Sequence, residues 1–77
     1  MSVTKTLDLK GLKCPLPVLK TRKALTTLQP GDRLEVLTTD PMAAIDIPHF
    51  CNEAGHHLIE SSTSDTEGTF LLEKGDR

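Results

Sequence analysis

The stretch Gly11-Leu12-Lys13-Cys14-Pro15-Leu16-Pro17, residues 11–17, lies where a strand pattern gives way to a helical pattern. Upstream, residues 4–9 alternate between polar and apolar, with Val3, Leu7 and Leu9 on one face, which is typical of a strand. Downstream, apolar residues recur at helical spacing from Pro15 or Pro17 to about Leu28. The inner stripe of this helix is predicted to be Val18, Thr21, Ala24, Leu25 and Leu28. Because a first-turn N–H has no intrahelical partner, both prolines are compatible with this helix start, and the junction should be stiff.

The rest of the chain predicts a second helical region and three more strands. In order, we expect a turn at 29–32, a strand at 33–39, a short turn at 41–46, a helix at about 48–54, and strands at 58–63 and 69–74. Asp40-Pro41 is typical of an N-cap followed by a first-turn proline. Pro48 is expected to interrupt the second helical region, because proline removes an N–H donor. Gly55 is the predicted end of that region.

The element order βαβαββ predicts a single domain over residues 1–77. The first strand, helix and second strand form a crossover unit, which favours a parallel pair, and the last two strands should form a hairpin. A chain this short can build only one four-stranded mixed sheet with both helices on one face. The predicted fold class is therefore α/β (α+β), an open two-layer sandwich.

Composition excludes several functions for a chain of 77 residues. It has two aromatic residues, Phe50 and Phe70, which argues against a base-stacking surface for nucleic acid. No apolar run approaches the roughly 18 residues of a membrane span, so no membrane partner is expected. The N-terminus lacks the apolar core of a signal peptide, which predicts a cytoplasmic protein with reduced cysteines.

Cys14 is the candidate reactive residue. At or just before a helix N-cap, a thiol is exposed to the positive end of the helix dipole, which favours the thiolate. Lys10, Lys13 and Arg22 belong to a cationic N-terminal segment, since residues 1–31 carry six Lys or Arg against one Asp. We therefore expect a pKa for Cys14 below that of a free thiol, and a basic surface that binds acidic partners.

Other cysteine chemistries fit the sequence less well. Position 17 is proline, so there is no Cys-x-x-Cys pair, and the three histidines are expected at the far end of the second helix, away from Cys14. They are His49, His56 and His57, interpreted as solvated residues; with Cys51 they match no closed zinc ligand set, so no metal is expected. A nucleophile without a base suits attack of sulfur on sulfur, because a thiolate needs no base once formed.

Two further residues have alternative interpretations. Cys51 lies on an apolar stripe with Ile47, Phe50 and Ala54, which favours burial over a disulfide with Cys14. Asp40 follows the second parallel strand as Cys14 follows the first, so both should lie at the carboxyl edge of the sheet. Asp40 is either a helix N-cap or a residue that supports the site.

The chain resembles the TusA/SirA family of sulfur carrier proteins. The Cys-Pro-x-Pro motif at residues 14–17 carries the resemblance, which extends through the segments 29–31, 40–41, 46–48 and 50–51 to the last strand. The resemblance implies the same βαβαββ fold and a persulfide on Cys14, with sulfur held covalently and no cofactor. It also implies that Pro15 and Pro17 present the sulfur. Leu16 occupies the x position, where several carriers have an acidic residue.

The implied function is a sulfurtransferase-type carrier rather than a stand-alone enzyme. Its donor would be a cysteine desulfurase or a rhodanese-like protein, and its acceptor another sulfur-relay protein. The pathway could be tRNA thiolation, molybdenum cofactor assembly or sulfur oxidation. The alternatives are a non-catalytic regulatory or interaction module, and an RNA-binding domain suggested by fold analogy. A sequence pI of 5.8 and the scarcity of aromatic residues count against direct nucleic-acid binding.

Overall fold

The computed structural model describes residues 3–76, which form four strands and two helices in the predicted order. The elements are β1 (Lys5–Asp8), α1 (Leu16–Thr26), β2 (Arg33–Thr38), α2 (Ala43–Ala54), β3 (His57–Thr63) and β4 (Gly68–Glu73). Residues 1, 2 and 77 of the predicted domain lie outside the described residues. No helix among residues 3–76 is long and apolar enough to cross a membrane.

The strands form one mixed sheet in the order β1-β2-β4-β3. β1 and β2 are parallel, as the crossover unit predicts, and Leu7 lies opposite Val36. β4 is antiparallel to both of its neighbours, so β3 and β4 form the predicted hairpin, with a register shift between Leu58 and Glu60. The parallel pair therefore brings the loops after β1 and β2 to the same edge of the sheet.

A single apolar core joins one face of the sheet to both helices. Alternation along β2 buries Leu34, Val36 and Thr38, and β4 buries Phe70 and Leu72 on the same face. From the helices, the core receives Ala24, Leu25, Ala43, Ile47, Phe50 and Cys51. Both helices thus cover one face of the sheet, which confirms the predicted two-layer α+β sandwich.

The second helix differs from the prediction, because Pro48 does not interrupt it. α2 runs without a break from Ala43 to Ala54, with Pro48 inside. The proline ring leaves the carbonyl of Ala44 without its helical donor, and Ala44 is exposed, so solvent can satisfy that oxygen. Burial of Ile47 and Cys51 on either side of the proline holds the helix on the sheet. The predicted end is confirmed, since Gly55 adopts the left-handed conformation with φ of 81°.

Candidate functional site: a thiol at the carboxyl edge of the parallel strands

Cys14 lies on the loop between β1 and α1 and is exposed. Pro15 is the N-cap of α1, so Cys14 precedes the cap by one residue, and the Cys14–Pro15 peptide bond is cis. Pro15 is exposed, whereas Pro17 is buried in the first turn of the helix, and its carbonyl accepts the Thr21 hydroxyl at 2.7 Å. One proline thus flanks the thiol at the surface, and the other anchors the helix start in the core.

The Asp40 carboxylate joins the loop after β1 to the loop after β2. Its Oδ2 accepts the backbone N–H of Cys14 at 2.6 Å, and its Oδ1 accepts the backbone N–H of Met42 at 3.1 Å. Asp40 is not the N-cap of α2 as the N-cap interpretation expected, because the helix begins at Ala43 and Met42 occupies the cap position. The side chain instead holds the backbone of Cys14 against the start of α2.

A second carboxylate contacts the sulfur itself. The Cys14 thiol donates a hydrogen bond from Sγ to Oδ2 of Asp46 at 3.2 Å. Asp46 is half-buried in the first turn of α2 and points across the edge of the sheet to the loop after β1. No titratable partner was expected beside Cys14, and that expectation was wrong, because a carboxylate lies within hydrogen-bond distance of the sulfur.

The pKa of Cys14 is raised above its ordinary value, contrary to the prediction of an activated thiolate. The main cause is the hydrogen bond from the thiol to Asp46; partial desolvation and the negative charges of Asp46 and Asp40 act in the same direction. The backbone N–H of Leu16, at the start of α1, donates to the Lys13 carbonyl at 2.9 Å and so does not point at the sulfur. The charges that shift the pKa of Cys14 are those of the two carboxylates, and they favour the neutral thiol.

The predicted basic residues are exposed around this edge. Lys10 and Lys13 lie on the loop that carries Cys14, and Arg22 lies on α1 with its guanidinium carbon 5.7 Å from the centre of the Phe50 ring. None of the three side chains makes an ion pair with another residue between positions 3 and 76. Their charges are thus available to a partner.

An open groove runs between α1 and α2 beside the thiol. Its end nearest Cys14 has a volume of about 250 Å³ and is lined by Pro15, Asp46 and His49, among others. A further part of about 390 Å³ continues toward the end of α2, and the two parts share Arg22, Phe50 and Glu53. The groove gives a partner segment access to the surroundings of Cys14.

Exposed apolar side chains also flank the site. Leu16 and Leu19 lie one turn apart on α1, and Met42 and Ile45 lie at the start of α2, with exposed fractions between 42% and 64%. The first pair begins two residues after Cys14. Met42, in the second pair, donates its backbone N–H to Asp40, which also accepts the N–H of Cys14. The thiol is therefore bordered by apolar surface as well as by cations.

The remaining candidates lie apart from this chemistry. Cys51 is buried with 2% of its surface exposed, and burial raises its pKa to about 11. Both cysteines are free in the structure. No group of three or more potential ligands that could hold a metal ion occurs within residues 3–76.

The histidines do not all lie where they were predicted. His49 lines the groove beside Pro15 and pairs with Glu53 at 2.8 Å, so it is closer to the thiol site than expected. His56 is half-buried rather than solvated, and its Nδ1 accepts the N–H of Gly75 at 3.0 Å.

Asp46 is the site residue that sequence reasoning missed. An acidic residue in the first turn of a helix has an ordinary explanation, since its negative charge interacts favourably with the positive end of the helix dipole. Asp40 was expected at the carboxyl edge of the sheet because it follows the second parallel strand. Asp46, six residues further on in the first turn of α2, lies near the same edge for the same reason. Extending that argument would have identified Asp46 as a neighbour of Cys14.

Comparison with known proteins shows the family and the fold of the chain. The family model described as "Sulfurtransferase TusA" matches residues 5–74. Two curated relatives from Neisseria meningitidis, one of serogroup A and one of serogroup B, are each named "Putative sulfur carrier protein". Each is 49% identical over 69 residues, which covers 90% of this chain and 90% of the relative. The crystal structure of the SirA-like protein of Desulfitobacterium hafniense shares the fold, with a TM-score of 0.80 at 23% identity over 95% of this chain and 100% of that one. The chain belongs to the TusA/SirA family of sulfur carrier proteins.

Proposed function

We propose that this protein accepts sulfur as a persulfide on Cys14 and relays it to an acceptor protein. The observation that carries the proposal is the contrast between its two cysteines: Cys14 is exposed at the carboxyl edge of the sheet, and Cys51 is buried on the inner face of α2. Only Cys14 can meet the sulfur of another protein without unfolding. Family membership supports a role in sulfur transfer.

Sulfur transfer at this site needs no metal and no bound cofactor. The Cys14 thiolate attacks the outer sulfur of the donor's persulfide, a new S–S bond forms, and the donor's inner sulfur leaves as a thiolate. In the second transfer the acceptor's nucleophile attacks the outer sulfur on Cys14, and Cys14 becomes the leaving thiolate. Atoms and electrons balance within each exchange.

The surroundings of Cys14 suit a donor and an acceptor that dock in turn. A cysteine desulfurase or a rhodanese-like protein is the proposed donor class, and another sulfur-relay protein is the proposed acceptor. Lys10, Lys13 and Arg22 would attract an acidic rim on such partners, and the exposed Leu16 and Met42 would pack against its apolar part. Transfer RNA thiolation, molybdenum cofactor assembly and sulfur oxidation are the candidate pathways, and the partners of the carrier decide among them.

The test is sulfur loading followed by intact mass. The protein is incubated with a cysteine desulfurase and free cysteine and then analysed under non-reducing conditions. The wild type should gain one sulfur atom that a reductant removes, and Cys14→Ser should gain none, because a hydroxyl cannot form a persulfide. Cys51→Ser is the matched control and should load nearly as the wild type does. Loading on Cys51, or on neither cysteine with any donor tried, would refute the proposal.

A further inference from the structure

The Cys14–Asp46 hydrogen bond distinguishes two protonation states of the sulfur. A carboxylate can accept a hydrogen bond only from the protonated thiol, and the thiolate would place two negative charges at the 3.2 Å separation of Sγ and Oδ2. The backbone that carries Asp46 is fixed, because its N–H donates to the Met42 carbonyl at 2.9 Å and the next residue, Ile47, is fully buried.

No cation between residues 3 and 76 forms an ion pair with Asp46. The charged and titratable groups around the Cys14–Asp46 pair are Asp40 on the loop after β2, Arg22 on α1, and His49 and Glu53 on α2, and Lys13 precedes Cys14 in the chain. His49 pairs with Glu53, and Arg22 lies over the Phe50 ring. Asp46 therefore presents an unmatched negative charge to an open groove of about 250 Å³.

We propose that Asp46 is a positioning residue that holds unloaded Cys14 as a protonated thiol, and that a cationic side chain of the docked sulfur donor releases the thiolate by pairing with Asp46. This inference rests on the proposed function and adds its regulation. The groove next to Asp46 is where such a cation would enter, because it combines an unpaired carboxylate with open space beside the sulfur. The raised pKa of Cys14, caused mainly by the hydrogen bond to Asp46, is consistent with the resting state.

The release step balances without an oxidant or a reductant. The proton on Sγ passes to solvent, and the sulfur lone pair forms a bond to the outer sulfur of the donor's persulfide. The donor's S–S bond breaks, and its electron pair stays on the inner sulfur, which takes a proton from solvent. Until a donor cation neutralises Asp46, the thiol is a weak nucleophile toward small electrophiles and polysulfides.

The first experiment measures the alkylation rate of Cys14 against pH in Asp46→Asn, by mass mapping of the modified residue. The amide keeps the shape of the side chain and removes its charge, so the inflection should move to lower pH. Each tenfold gain in thiolate fraction should raise the rate at neutral pH by about threefold, because the intrinsic nucleophilicity of the thiolate falls as its pKa falls. Asp46→Glu should restore a profile close to that of the wild type. Glu60→Gln, an acid-to-amide change on the opposite face of the sheet, is the matched control and should leave the profile unchanged.

The second experiment compares two sulfur sources, inorganic polysulfide and a cysteine desulfurase supplied with cysteine. Asp46→Asn should accelerate loading from polysulfide several-fold and slow loading from the desulfurase, because the pairing between Asp46 and the donor's cation is lost. Equal acceleration with both sources would overturn the role of the donor's cation. An unchanged or higher inflection in the alkylation profile, in a variant with wild-type urea unfolding, would overturn the role of Asp46 as a whole. If no source loads Cys14, the proposed function fails, while the alkylation profile still decides what Asp46 does.

Discussion

Replacement of Asp40 by alanine removes the one side chain that holds the Cys14 backbone to the start of α2. Two hydrogen bonds are lost, from the N–H of Cys14 at 2.6 Å and from the N–H of Met42 at 3.1 Å. Hydrogen bonds to charged groups contribute about 1.5–3 kcal/mol each when they are well shielded. Cys14 and Met42 are exposed, so water replaces the lost acceptor, and we expect a total loss of about 1–2 kcal/mol in the free energy of unfolding.

Urea unfolding at neutral pH measures this loss, and for a domain of this size a loss of about 1–2 kcal/mol corresponds to a fall in Tm of roughly 4–16 °C. Asp40→Asn keeps one acceptor oxygen and should lose about half as much. Asp65→Ala, an exposed acid in the β3–β4 turn, is the matched control and should change stability by less than about 0.5 kcal/mol. Asp40→Ala should also load sulfur more slowly, because the loop that presents the thiol is no longer tied. A change in the unfolding free energy no larger than that of Asp65→Ala would refute the reasoning.

Three other perturbations address the core, the basic surface and pH. Cys51→Ser places a hydroxyl in the core and should cost about 1–3 kcal/mol of unfolding free energy while sulfur loading per folded molecule is kept; an unfolding curve like that of the wild type would contradict the burial of this residue. Lys13→Glu combined with Arg22→Glu should slow the association step of sulfur transfer, with an effect that shrinks as salt is added; kinetics unchanged at low ionic strength would show that these cations are only solvated. Burial lowers the pKa of His56, with the positive charges of Lys74 and His57 as smaller causes, so the unfolded chain binds its proton more readily. Stability should therefore fall as pH drops below about 6.5, and His56→Gln should weaken that dependence in urea unfolding; equal slopes for both proteins would argue against it.

The fold was largely predictable because local patterns and tertiary packing agree. The alternating pattern of the β2 sequence matches its structure, in which Leu34, Val36 and Thr38 are buried on one face. The element order predicted a single sheet with both helices on one face, a parallel first pair and a final hairpin, but it did not predict that β4 lies next to β2. Pro48 was misinterpreted for a physical reason: local propensity disfavours proline inside a helix, but burial of its apolar neighbours outweighs the loss of one hydrogen bond.

The position of the site was predictable, and its electrostatics were not. A strand-to-helix junction is a local property, so the sequence placed Cys14 correctly just before α1. The charge environment of the thiol depends on Asp40 and Asp46, which lie 26 and 32 positions after Cys14 in the chain. No local pattern shows which side chain will reach the sulfur. A lowered pKa was expected for Cys14 because cations are near it in the sequence. Folding brings Asp40 and Asp46 close to the thiol, and these acids raise its pKa instead.

The burial of Cys51 has a consequence for how long a loaded carrier can keep its cargo. A persulfide with a second thiol within reach is attacked by that thiol, which closes an internal disulfide and releases the outer sulfur as sulfide. In this fold the second thiol, Cys51, is buried on the inner face of α2, and its pKa is raised to about 11. For the proposed Cys14 persulfide, self-discharge by this route requires unfolding. The lifetime of the outer sulfur on Cys14 is then set by encounters with other molecules, so the persulfide persists until an acceptor binds.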